Sequence, residues 1–307
     1  MNSTNAGRLR IGLIGTGYWA DQCHASGIEQ SDDVDFVGVW GRDPEKTGEF
    51  AARHNTEPFS SPEALFAAAD VISLAIPPSV QPALAVAAAD AGCHLLLEKP
   101  IATSVAEAAR IVDACERNGV KSVVNFSALF GGSTGPWMRD VVVPVSWDGG
   151  SVTLLSDLRV TDTPFSGSPW RLLDNGSLWD VGPHALSLLV AGLGPVVDVK
   201  AQHGRGDTFV LALRHERGAV SNVILSYSVG VGGSRFEVEF WGPSGSIDAP
   251  PAAADSSPAD SISPALAALV ESVRTDRPSP YGARFGAEIV DVLARAEGAA
   301  QIQGVTK

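Results

Sequence analysis

The stretch Ile11 to Ala20, IGLIGTGYWA, decides the fold. Residues 9–14 form a short apolar run of the kind that makes a buried strand, and glycines follow it at once. Gly15, Gly17 and Ala20 stand where such a strand turns tightly into a helix. There the backbone can approach a pyrophosphate, and helix N–H groups can bind it. Thr16, Tyr18 and Trp19 complete the loop as candidate cofactor contacts. A glycine fingerprint alone is also compatible with a plain turn, so the dinucleotide reading rests on its place behind the first strand and ahead of a helix.

Outward from this loop, short β-like runs alternate with helical patterns as far as residue 125. The runs 9–14, 34–40, 71–75, 94–97 and 122–125 predict a doubly wound parallel sheet with helices on both faces. Val105, Ala108, Ile111, Val112 and Cys115 make one apolar helical stripe that ends at Asn118-Gly119. Asp43-Pro44 reads as an N-cap with proline in the first turn. From about residue 151 the pattern becomes alternating strands with glycine turns: SVTLLSDLRV, DTFVLALRH, AVSNVILSYSV and SRFEVEFWG, predicting an open, largely antiparallel sheet. Between the two patterns GGSTGPWMRD reads as loop or short helix; further on, APPAAADSSPADSISP reads as a surface loop, and helices over 265–274 and 284–300 close the chain. The expected division is a Rossmann domain over 1–125 and a second α/β domain over 126–307.

Composition limits the partners. A 307-residue chain of net charge −13 repels phosphate backbones and anionic membranes at long range, so nucleic acid is excluded. No apolar run approaches the roughly 18 residues of a membrane span, and the start of the chain lacks a signal-peptide core. Cys23, Cys93 and Cys115 are odd in number with no ligand-like spacing, which suits reduced thiols and predicts no metal. The expectation is a soluble, cytoplasmic protein.

Three further positions carry chemistry. At the end of the second strand, where an NAD-specific protein carries an acid, Gly41 and Arg42 stand instead, and a guanidinium there pairs well with the 2′-phosphate of NADP. Asp43 is the rival that would restore NAD, while Asp35 sits too early in the strand. The third run ends in AIPPSVQP; Pro77 and Pro78 force a loop at the sheet's carboxyl edge, so Pro77, Pro78 and Ser79 are expected to line the cofactor. The fourth run, LLLEKP, drives three leucines into Glu98 and Lys99 at that same edge, in a chain with five lysines against seventeen arginines. Beyond them, WRLLDNGSLWDVGPHALSLL places Asp180 and His184 four apart. Gly182-Pro183 suggests that a helix starts there and leaves Asp180 on the entering loop. By itself that pair reads better as a capping Asp and a core histidine than as a catalytic pair.

GTGYWA, EKP and GSLWDVGPH, in this order and spacing, resemble the glucose-fructose oxidoreductase/inositol dehydrogenase/MocA family across nearly the whole chain. The resemblance implies a Rossmann domain followed by a substrate-binding and oligomerisation domain, with Lys99, Asp180 and His184 as the catalytic set. It implies Gly15, Thr16, Gly17, Tyr18, Trp19, Gly41, Arg42, Pro77, Pro78, Ser79, Glu98 and Lys99 around the cofactor, NADP or alternatively NAD. Asn125, Trp170 and Arg171 join the catalytic set around the substrate, although a structural Trp170–Arg171 stack is as good a reading. A homodimer or homotetramer through the open sheet is implied too. The chain departs from the family pattern at Gln81, where histidine is common, in NFSALFGG, where an arginine is common, and at Ser187, where an acid is common. These departures point to an atypical substrate pocket.

The expected reaction is reversible hydride transfer between nicotinamide and a carbinol carbon of a sugar, cyclitol or related polyol. His184 would carry the hydroxyl proton, since imidazole titrates nearest cellular pH. Lys99 would hold the substrate oxygen, and Asp180 would orient substrate or imidazole. Two alternatives keep the same fold: a non-catalytic NAD(P)-binding regulator, and a reductase of a non-sugar ketone or imine.

Overall fold

The computed structural model describes residues 7–165, 168–251 and 258–303. Part of the APPAAADSSPADSISP stretch, residues 252–257, lies outside them. Strands β1 (Leu9–Ile14), β2 (Val34–Trp40), β3 (Val71–Leu74), β4 (His94–Glu98) and β5 (Ser122–Asn125) pair in parallel in the order β2-β1-β3-β4-β5. They begin and end within a residue of the sequence expectation. The chain runs from β1 to β2 on one side and returns to β3 on the other, so the crevice outside the carboxyl ends of β1 and β3 is where ligands bind in such sheets. β3 and β5 are buried along their whole length, as a sheet covered on both faces requires.

Local chemistry sets the helix boundaries. Asp43 Oδ1 accepts from Glu45 N (3.1 Å) and Lys46 N (3.2 Å), and starts the helix Pro44–Arg53. Ser104 Oγ accepts from Glu107 N (3.2 Å) to start Val105–Asn118, which stops at Gly119 with φ 66°. Helix Ile262–Thr275 belongs to this same unit, which runs to Gly131 and takes in a returning segment up to Ala287. Ile262, Leu266, Leu269 and Val270 pack in one cluster with Ile11, Val34, Val71, Leu96 and Val123, so an apolar helix face far along the chain completes the core of the first sheet. A linear division at residue 125 does not describe this return.

The second unit runs from Gly132 and regains the chain at Glu288. Its strands are β6 (Gly149–Leu155), β7 (Val196–His203), β8 (Phe209–His215), β9 (Val220–Ser226), β10 (Arg235–Gly242) and β11 (Gly245–Asp248), in the order β11-β10-β6-β9-β8-β7. All pairs are antiparallel except β6–β9. β8 alternates strictly, Phe209, Leu211 and Leu213 inward and Val210, Ala212 and Arg214 outward, so one face is covered and the other open. Helix Gly182–Leu193 packs on β6 and β9. Ile289, Val290, Val292 and Leu293 of the last helix, Ala283–Gln303, are all buried. Among the described residues no helix is long and apolar enough to cross a membrane. The three cysteines are unbridged and buried; burial pushes the Cys23 thiol up to about 12 and those of Cys93 and Cys115 to about 11.

Candidate active site

The glycine loop leaves β1 through Gly15, whose N–H donates to Trp40 O (2.9 Å) and whose φ is 122°. A Cβ there would lie 2.4 Å from Ala75 O, so the loop lies flat against the end of β3 only because the residue is glycine. At Gly17 a Cβ would meet nothing within 4 Å: the loop offers bare, exposed backbone to whatever lies beyond it. A Cβ on Gly41 would come within 2.8 Å of Thr16 Cγ2, so the second strand's end closes tightly on the loop. Arg42 next to it is exposed and makes no hydrogen bond or ion pair among the described residues, whereas Asp43 caps its helix and Asp35 pairs with Arg8 at 2.9 Å. Pro77 and Ser79 are exposed and Pro78 buried in a turn closed by Val80 N to Pro77 O (3.0 Å). A dinucleotide fits this set: open backbone at Gly17, and an uncommitted guanidinium in place of a ribose-binding acid.

Lys99 follows β4, half-buried, and joined to Pro100 by a cis peptide bond. Glu98 before it is buried, with its carboxylate turned inward. Its Oε1 accepts from Trp19 Nε1 (3.0 Å), His24 Nε2 (3.0 Å) and Asn125 Nδ2 (2.9 Å); its Oε2 accepts from Lys99 N (3.3 Å). Burial opposes the charged form of Glu98, but the hydrogen bond and charge of His24, the Lys99 ammonium and the Asn125 amide outweigh it and hold the carboxyl below the usual glutamate range. The structure thus brings Trp19, Glu98 and Asn125 together beneath Lys99, with Asn125 itself 1% exposed.

Gln81, the first departure from the family pattern, holds the same turn. Its Oε1 accepts from Glu98 N (2.8 Å), while its Nε2 donates to Glu98 O (2.7 Å), Ile101 O (3.2 Å) and Pro100 O (3.3 Å). β3 pairs with β4 only as far as Leu96, so the Gln81 carboxamide acts as the missing neighbour peptide for Glu98. An imidazole has one donor and one acceptor in fixed opposition and cannot make this set. Gln81→Leu is expected to lower stability by roughly 2 kcal/mol, the scale of one or two orphaned backbone groups. A denaturant midpoint within roughly 0.5 kcal/mol of the parent would show that the clamp is dispensable.

In the second unit Asp180 closes a short helix, Gly176–Asp180, and Val181 joins it to Gly182–Leu193. This corrects the expectation of a loop: Pro183 is tolerated in the first turn of the second helix, and the first helix ends just before it. Asp180 is buried; its Oδ2 accepts from Arg171 Nε (2.6 Å) and from the Tyr227 hydroxyl (2.6 Å). Burial and the Asp180 charge push the Tyr227 phenol well above its ordinary value, so it donates throughout the working pH range. The Arg171 guanidinium lies 4.5 Å from the Trp170 ring centre and 4.9 Å from that of Phe165, the stack anticipated as an alternative to substrate contact. His184 is different from its surroundings: of residues 182–190 it alone is not buried. Ser187 Oγ donates to His184 O (2.9 Å), so the residue where the family favours an acid is a buried helix-internal hydroxyl.

Residues 9–126 match the model of an oxidoreductase family with an NAD-binding Rossmann fold, and residues 154–248 match the GFO/IDH/MocA C-terminal domain. The chain belongs to the GFO/IDH/MocA family. Within it, the scyllo-inositol 2-dehydrogenase (NADP(+)) of Bacillus subtilis is 32% identical over 115 residues, 36% of this chain and 35% of that one. The D-glucoside 3-dehydrogenase of Escherichia coli is 28% identical over 200 residues, 63% and 57% of the two chains. The UDP-N-acetylglucosamine 3-dehydrogenase of Acidithiobacillus ferrooxidans is 28% identical over 240 residues, 76% and 71%. The chain therefore spans about a third and just over half of the first two relatives' lengths. A levoglucosan dehydrogenase solved with NADH and L-sorbose shares the fold, with TM-score 0.83 at 17% identity over 96% of this chain and 97% of that one.

Three participants escape the sequence reading. His24 reaches Glu98, Tyr227 reaches Asp180, and Asp207 lies beneath Tyr227, accepting its N–H at 3.0 Å. Tyr227 directly follows β9, where Leu225, Ser226 and Tyr227 are buried in succession.

Proposed function

We propose that this chain is an NAD(P)-dependent oxidoreductase acting on a carbinol or ketone carbon of a sugar, cyclitol or related polyol, with NADP preferred. The observation that carries the reading is the pairing of open backbone at Gly17 with an uncommitted Arg42, while Asp43 is occupied as a helix cap and Asp35 as the partner of Arg8. The named activities of the relatives, on scyllo-inositol, a D-glucoside and a nucleotide sugar, supply the substrate class.

Gly15, Thr16, Gly17, Gly41 and Arg42 would hold the dinucleotide, which when bound supplies the hydride chemistry. Lys99 holds the substrate oxygen and stabilises negative charge that develops on it. His184 takes the hydroxyl proton during oxidation and returns it during reduction; its access to solvent in an otherwise buried helix start suits that exchange. Asp180, pinned by Arg171 and Tyr227, orients the partners. Reduced, buried thiols fit a cytoplasmic setting. The open face of the six-stranded sheet, with Val210 and Val220 exposed beside Arg214 and Asn222, is the surface through which a homodimer or homotetramer would form.

A panel of polyols and ketosugars assayed with NADP(H) and NAD(H) tests the reading, and turnover of none of them would refute it. Arg42→Asp should shift the ratio of NADP to NAD dissociation constants by about ten-fold or more toward NAD, because a charge-assisted pair to the phosphate becomes a repulsion. Equal affinity for both dinucleotides in the unaltered protein would remove the NADP preference.

A further inference from the structure

We propose that Glu98 is a positioning residue that couples the glycine loop to Lys99, a role that rests on the reading of Lys99 as catalytic. Trp19 and His24 are five residues apart. On an α-helix they would point about 140° away from each other. Between them the helix is wound as a π turn over Ala20–Ala25, whose wider coil brings positions five apart onto one side. Both side chains consequently reach the same oxygen, Glu98 Oε1, each at 3.0 Å. The His24 ring is held at its other end by Ser73 Oγ, 2.7 Å from Nδ1, and Ser73, like His24, is fully buried. The second carboxylate oxygen accepts the Lys99 main-chain N–H.

One buried anion thereby joins a residue two places past Gly17 to the backbone of Lys99, across 80 positions of sequence. A strut needed only for stability would not require an irregular helix to converge two donors on a single oxygen. Glu98→Gln breaks the arrangement in either orientation: a carboxamide offers one acceptor, so either the Lys99 N–H or the trio of Trp19, His24 and Asn125 faces an NH2 group.

The test reads the Lys99 amide itself. Selective 15N labelling of lysine gives signals from five residues, with Lys99 assigned through Lys99→Arg. In the ligand-free protein, Trp19→Phe, which removes the indole N–H and keeps a ring, is expected to move the Lys99 signal and speed its hydrogen exchange about three-fold or more. Glu98→Gln is expected to speed it about ten-fold or more, and the double variant no further than Glu98→Gln alone. A Lys99 amide indifferent to Trp19→Phe, or effects that multiply in full in the double variant, would overturn the coupling. Should Glu98→Gln fail to fold, the Trp19→Phe arm decides. Because the protein carries no ligand in these measurements, they judge the coupling separately from the polyol panel.

Discussion

Lys99→Ala is expected to lower turnover of the proposed alcohol substrate by about two decades or more, and His184→Ala to do the same, while the dinucleotide dissociation constant should change by less than about two-fold. The expectation follows from where each side chain is mounted. Lys99 extends from a turn whose backbone is gripped by the Gln81 carboxamide and the Glu98 carboxylate, so its ammonium starts from a fixed base. His184 opens a helix whose neighbouring residues are all buried, and keeps its own route to solvent. Neither residue belongs to the glycine loop or the Arg42 corner, which is why dinucleotide affinity should be spared. Steady-state kinetics on the substrate found by the panel, beside fluorescence titration of the dinucleotide, separates the two quantities. Ordinary turnover in either variant would remove that residue from the chemistry, and a loss confined to dinucleotide binding would reassign it.

Asp207→Ala is expected to cost roughly 3 to 5 kcal/mol of stability, the range for a buried ion pair that loses one partner. Asp207 is wholly buried. Its Oδ2 accepts from Arg159 Nε (3.1 Å), and its Oδ1 from Ser228 Oγ (2.8 Å) and Tyr227 N (3.0 Å). Alanine leaves the Arg159 guanidinium and the Tyr227 N–H without those acceptors. The damage extends to the candidate site. Arg159 Nη2 also donates to Leu172 O (3.0 Å) and Leu173 O (2.7 Å), at the end of the turn Pro169–Leu172 that carries Arg171 to Asp180. Denaturant unfolding should show a lower midpoint at unchanged slope. Asp207→Asn, which keeps an acceptor and loses the charge, should fall between the two. A midpoint for Asp207→Ala equal to the parent's would show that solvent or another residue takes over the pair.

The parts of this architecture that depend on neighbours in sequence were legible. β1, β2 and β5 begin and end where the sequence places them, and the helix at Asp43-Pro44 starts where its cap and proline demand. The position of Lys99, directly after a buried strand, was legible as well, since a charged residue there interrupts the apolar run. What could not be read depends on distant or irregular geometry. The meeting of Trp19 with His24 breaks the 3.6-residue period on which helix reading rests, and the Tyr227–Asp180 bond spans 47 positions. β7 mixes Asp198 and Lys200 into a half-exposed edge strand, and β11 has only four residues, so neither gave a periodic signal. Gln81 read as a missing histidine; only the position of the Glu98 backbone explains what its amide does.

The return of helix Ile262–Thr275 to the first sheet also bears on how the protein is made. During synthesis all five strands of that sheet leave the ribosome well before the residues that cover Ile11, Val71 and Leu96 have been translated. The nascent sheet must wait, with an apolar seam uncovered, until more than half of the remaining chain has emerged. The amino-terminal half therefore matures after translation of its carboxyl-terminal cover rather than as an independent first-folding module.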